Sequence, residues 1–225
     1  MKAIIALSFL CMIFSCSATS PGQPSQHLRN QWKKAVEVYS ESPDGKEGVL
    51  ATAFPINKLN LLTAGHFCED VANGAEKKKY KETVSIRYFN RNDEISIIDN
   101  VQIIKFEVSD NVDLCILERA KHGLRAVDLV KNYEKSLNFG DKVYVVGAPS
   151  GIFPIITEGY VSYLYASEFN DKLLISSPVW AGNSGGPVFN TRGKVVGLVI
   201  MMDSRYHHST FAITAKSIRE FLNAK

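Results

Sequence analysis

The chain has 225 residues, of which 45% are hydrophobic and 22% charged, and its formal net charge is +3. That length supports one or two compact units with a sizeable buried core. The small charge, with no basic stripe interleaved with aromatics, excludes a nucleic-acid partner.

Residues 1–18 have the layout of an export signal: a basic Lys2, an apolar run from Ala3 to Phe14, then small residues. The run is shorter than the roughly 20 residues that span a bilayer as a helix. The segment "IFSC" ending at Cys16 resembles a bacterial lipoprotein box, although Phe14 is bulkier than that place usually allows. Lipidation at Cys16 and simple cleavage near Ala18 therefore both stay open. Either way the expected localisation is exported, to the bacterial cell envelope, the periplasm or the medium, with membrane contact only through a lipid at Cys16. Residues 19–30, "TSPGQPSQHLRN", read as a tether.

Strand-like runs follow, punctuated by turns: 34–40, 48–56, 59–64, 84–89, 94–99, 101–108 and 114–118 in the first half. The run "EKKKYKE" at 76–82 reads as a solvated loop. The second half continues with 142–148, 155–166, 172–179, 187–190, 194–202 and 209–214. Many are rich in Val, Ile, Tyr and Phe, and several alternate apolar with polar residues. Only 214–225, "TAKSIREFLNAK", is predicted helical, with Ile218, Phe221 and Leu222 at helical spacing and Thr214 as cap. The chain thus reads as mostly β, closed by one helix.

Once the signal is set aside, Cys68 and Cys115 are the thiols left to the body of the chain. Such a pair can form a disulfide in an exported protein, but one pair gives no framework to read. No clustered Cys/His spacing suggests zinc, and no metal or organic cofactor is expected.

The stretch "AGNSGGPVFN" at 181–190 sets Ser184 among three glycines. A plain turn is one reading; a reactive hydroxyl is the other, and it needs an imidazole base, an orienting carboxylate and oxyanion donors. Of the five histidines, His27, His122, His207 and His208 lie in polar segments, whereas His66 ends the apolar run "LNLLTAG" and begins a turn. Asp113 directly precedes the apolar run "LCILE". A backbone-bonded histidine and a capping aspartate are the plainer readings of these two.

Together "TAGH", "DLCIL" and "GNSGGPV" resemble the trypsin-like serine protease family in its chain order of His, Asp, Ser. "FGDKVYVVGAPSG", "GKVVGLV" and "FAIT" extend the resemblance over residues 33 to 225. It implies an all-β fold of two six-stranded antiparallel β-barrels, at 31–127 and 128–225, the second ending in the α-helix. It further implies an endopeptidase acting on protein or peptide substrates through an acyl-enzyme intermediate, with Ser184 as nucleophile, His66 as base and Asp113 as orienting group. The backbone N–H groups of Gly182 and Ser184 would form the oxyanion hole, and Trp180, Ile200, Met202 and Phe211 would wall the substrate pocket.

Departures from the animal digestive enzymes matter as well. Asn183 stands where they carry the aspartate that pairs with a freed N-terminus, and their disulfide beside the catalytic histidine is absent. Cys68 and Cys115, each two residues beyond a triad member, are an alternative pair. No acid lines the expected pocket, so a small or apolar side chain is the expected preference. The resemblance is to a bacterial-type member, expected to be without a PDZ domain. An α/β-hydrolase elbow also satisfies Gly-x-Ser-x-Gly, but Gly-Gly-Pro after Ser184 opposes the helix that elbow requires. A catalytically silent binding module on the same fold is the remaining alternative.

Overall fold

The structure, a computed structural model, describes residues 30–118, 124–166, 172–203 and 209–224. The expected export signal with Cys16, nearly all of the expected tether, and His27, His122, His207 and His208 lie outside the described residues.

The first half forms β1 (Val36–Glu41), β2 (Gly48–Pro55), β3 (Asn60–Thr63), α1 (Gly65–Glu76), β4 (Val84–Phe89), β5 (Ile95–Val101), β6 (Ile103–Val108) and β7 (Asp113–Glu118). Its strands pair in the order β5-β4-β1-β2-β3-β7-β6. β5 and β6 are the two outer strands of that order, yet only Gln102 separates them in sequence. The chain can pass from one edge to the other in a single residue only if the sheet curls until its edges meet. Counted as one bent strand, β5 and β6 complete the six-stranded first barrel.

The second half supplies β8 (Lys142–Gly147), β9 (Ile155–Ala166), β10 (Lys172–Ile175), β11 (Pro187–Asn190), β12 (Val195–Met202) and β13 (Thr210–Thr214), closed in the order β10-β13-β12-β11-β8-β9. α2 (Ala215–Asn223) ends the chain, and the Thr214 hydroxyl caps it by accepting from Ser217 N at 3.2 Å.

Strand alternation decides what each barrel buries. On β2, Ala51 and Ala53 enter the first core with Val38, Leu61 and Ile86, while Phe54 faces the other way. On β8, Val143 and Val145 fill the second core while Tyr144 and Val146 face out of it. The outward sets meet: Phe54, Leu62 and Leu114 share one buried cluster with Val146, Leu198 and Ile213. Both faces of these strands are therefore dry, which explains their nearly unbroken apolar sequence.

One expectation is corrected here. A second helix exists at Gly65–Glu76, where only the C-terminal segment was predicted helical and His66 was read at a strand-end turn. Gly65, Asn73 and Gly74 lower its intrinsic helix propensity. Tertiary burial of Phe67, Cys68, Val71 and Gly74 along one side holds it instead.

Candidate active site

Asp113 opens β7, and His66 lies in the first turn of α1, whose amides have no partners inside the helix. One carboxylate serves both needs. Asp113 Oδ1 accepts from the His66 backbone N–H at 2.7 Å, and Oδ2 lies 2.7 Å from His66 Nδ1. With its proton held at Nδ1, the neutral ring leaves Nε2 free as a base. Burial alone would push the imidazole down, but the hydrogen bond and charge of Asp113 outweigh it, and the pKa is raised. Two residues beyond each partner, Cys68 and Cys115 form a buried disulfide that ties α1 to β7 beside the pair.

The serine turn approaches from the second barrel. Asn183 N donates to Trp180 O, Gly185 N to Val199 O and Gly186 N to Asn183 O. Between them, the N–H groups of Gly182 and Ser184 have no backbone or side-chain acceptor among the described residues. Gly182 and Gly185 take φ of +100° and +82°, a region that side chains resist. A Cβ on Gly185 would sit 2.0 Å from Thr52 O and 2.8 Å from Ala64 N, so the turn lies directly against the segment leading into His66.

Thr52, not singled out from sequence, anchors this turn. Fully buried on β2, it donates Oγ1 to Gly182 O at 2.7 Å, accepts Ala148 N at 3.0 Å, and donates its backbone N–H to Ser184 O at 2.7 Å. Thr63 Oγ1 completes the set by donating to Thr52 O at 2.7 Å. The available signal was a lone hydroxyl inside the apolar run "LATAF", since a buried polar group must find partners.

His66 and Asp113 are thus in direct contact, and the Ser184 turn is docked beside them. The Ser184 hydroxyl itself faces Ile200 O at 3.4 Å, and no described hydrogen bond joins it to the imidazole. Of the four expected pocket residues, Ile200 and Phe211 are buried in the core, while Trp180 and Met202 are exposed at 61% and 41%. Buried Asn183 donates Nδ2 to Trp180 O at 3.1 Å, an uncharged contact that holds the turn from within.

Two β-barrels with a shared interface, a histidine–aspartate pair on one side and a glycine-flanked serine turn on the other, define the trypsin-fold class. The family described as "Trypsin-like peptidase domain" matches residues 51–198, and the chain belongs to it. A curated relative, the "Probable periplasmic serine endoprotease DegP-like" of Rhizobium meliloti, is 36% identical over 69 residues, covering 29% of this chain and 14% of its own length. "Anti-sigma-I factor RsgI9" of Acetivibrio thermocellus is 26% identical over 158 residues, 68% of this chain and 21% of the relative. The chain therefore spans a small part of these curated relatives.

Among solved structures, the serine endoprotease from Yersinia pestis superposes with a TM-score of 0.72 at 21% identity, covering 91% of this chain and 66% of that one. The active form of a protease from M. tuberculosis gives 0.68 at 18%, covering 88% and 82%. At such identities the likeness shows the fold.

Proposed function

We propose that the chain is an exported serine endopeptidase using His66, Asp113 and Ser184. The observation that carries this reading is the 2.7 Å His66 Nδ1–Asp113 Oδ2 contact beside a serine turn with two amides uncommitted among the described residues. In this mechanism Ser184 Oγ attacks the peptide carbonyl while His66 Nε2 takes its proton. The new oxyanion points at the amides of Gly182 and Ser184, and collapse expels the amine with the proton from His66. Water, deprotonated by the same imidazole, then cleaves the acyl-enzyme ester and frees Ser184.

β12 supports a place for the substrate chain. It pairs with β11 only as far as Leu198, while its pairing with β13 continues to Met202. Past Val199 the β11-side edge has no described strand partner, so an extended peptide can add there. Buried Ile200 and Phe211 fill the space behind that edge, which favours small or apolar side chains. Export is supported by the signal-like residues 1–18 and by the similarity to a relative described as periplasmic. A lipid at Cys16 would make residues 19–30 the tether of a membrane-held enzyme.

The test is labelling with a fluorophosphonate, followed by peptide-library cleavage. The wild type should label and cleave, and Ser184→Ala should do neither. A second reading, a silent binding module, is favoured by the Ser184 hydroxyl facing Ile200 O instead of the imidazole. No labelling of folded protein would select it.

A further inference from the structure

Glu37 on β1 is an unusual residue for its position. Its side chain is 4% exposed, and desolvation pushes its carboxyl above the usual range even with Arg87 beside it. Arg87 is directly opposite in the β1–β4 ladder. Its Nη2 donates to Glu37 Oε1 at 2.9 Å, and its Nε lies against Oε2. Glu37 is buried while the Arg87 side chain is 31% exposed; desolvating a carboxylate for such a pair adds little stability over apolar side chains of equal volume, so its presence calls for another reason.

The reason lies in the next contact. The same Arg87 Nη2 donates to the carbonyl of Gly151 at 2.8 Å, at the end of the 3₁₀ turn Pro149–Gly151 that follows β8. Ser150 and Gly151 are consecutive left-handed residues, at φ +51° and +77°. A non-glycine residue in that region persists where its surroundings impose it. The turn in turn grips the serine loop: Ser150 N donates to Ala181 O at 2.8 Å, immediately before Gly182. Ala148 O would lie 2.2 Å from a Cβ on Gly182, and Leu50 Cδ2 3.1 Å from it. A cavity of about 450 Å³ runs along this wall, bounded by Glu37, Leu50, Arg87 and Gly151.

We infer that Arg87 is a positioning residue for the oxyanion turn. Glu37 aims the guanidinium, the guanidinium holds Gly151 O, and the 149–151 turn sets the Ala181–Gly182 peptide whose N–H must face the developing oxyanion. This rests on the serine-peptidase reading, because the role has meaning only if Gly182 N–H stabilises that charge.

The test uses the double variant Glu37→Leu with Arg87→Met, which removes both charges at similar volume. Its thermal midpoint should stay close to that of the wild type, since neither charge is left unpaired. Phosphonylation of Ser184 by a fluorophosphonate, in which Oγ displaces fluoride from phosphorus, should slow by at least about tenfold, and kcat on a peptide should fall equally with KM little changed, the signature of a lost transition-state contact. Should the double variant fail to fold, Arg87→Lys keeps a charge beside Glu37 but lacks the rigid planar fork whose Nε and Nη2 grip Glu37 while Nη2 also reaches Gly151 O, and its labelling should slow in the same direction. A folded variant of either kind that labels at the wild-type rate overturns the positioning role alone. A wild type that does not label overturns the peptidase reading and this role with it.

Discussion

Replacing Thr52 with valine swaps one hydroxyl for a methyl at constant shape, in a site with no solvent access. The hydroxyl bridges two backbone groups, Gly182 O at 2.7 Å and Ala148 N at 3.0 Å. Each becomes a buried polar group without a partner, at about 1–3 kcal/mol apiece, so the gross loss is about 2–6 kcal/mol. The added methyl returns about 0.8 kcal/mol of apolar burial. The net loss is then about 1–5 kcal/mol, and a domain of this size loses about 2–4 °C of midpoint per kcal/mol, so a fall of about 2–20 °C is expected. Gly182 is also freed at its carbonyl, and acylation of the folded enzyme should drop toward the hundredfold loss that follows when one oxyanion donor goes. Differential scanning calorimetry and timed fluorophosphonate labelling read the two effects. Thr52→Ser, which keeps the bridge, should retain most of both. A valine variant within about 1 °C of the wild type and equally reactive, on a scale where one lost bridge moves several degrees, would refute the assignment of Thr52 as the anchor.

Three further outcomes are expected. Reducing the Cys68–Cys115 bond, or replacing both residues with alanine, opens a cross-link with a sequence separation of 47 residues. The chain-entropy account puts that loss at about 4 kcal/mol, and calorimetry with and without reductant should show it; an unchanged midpoint contradicts the structure. Because Asp113 raises the His66 pKa, the rate of acylation should climb with pH through a midpoint above about 6.5, and Asp113→Asn should lower that midpoint. The linked stability has the opposite slope: it is fully present below the unfolded value and lost as pH rises through the folded one. The charged pair therefore does not stabilise the enzyme where it is active, and a midpoint that rose across that window would contradict the assignment. Finally, Met201 and Met202 are 52% and 41% exposed where β12 shifts register after Val199, beside Ser184. Peroxide should convert them to sulfoxides and raise KM for apolar peptides, about tenfold if roughly 1.4 kcal/mol of contact is lost. Fluorophosphonate labelling should be spared, and Met201→Leu with Met202→Leu should resist the treatment.

The residues of the candidate site stood out in the sequence because the proposed chemistry fixes their sequence neighbourhood. Gly182 and Gly185 must be glycine at their backbone angles, and Asp113 must open a strand to reach the helix that carries His66. The strands were legible where one face is wet, as in β4, whose buried Val84, Ile86 and Tyr88 alternate with half-buried neighbours. α1 was not, because its glycines and asparagine obscure a helix held by packing and a cross-link. Thr52, Glu37 and Arg87 escaped notice for a different reason. Their roles lie in contacts with residues 50 or more positions away, such as Glu37 with Arg87 at 50 and Arg87 with Gly151 at 64, which no local pattern encodes. The proposed substrate edge of β12 also depends on where β11 stops pairing, a fact of register and not of composition.

The central claim is that His66 activates Ser184, and peptide-mapped labelling tests it most directly. Wild-type protein treated with a fluorophosphonate should carry the adduct on the peptide containing Ser184, at a rate that falls with protonation of His66. His66→Ala should reduce that rate by several orders of magnitude at an unchanged melting midpoint. An adduct formed equally fast without the imidazole, or found on another residue, would contradict the account.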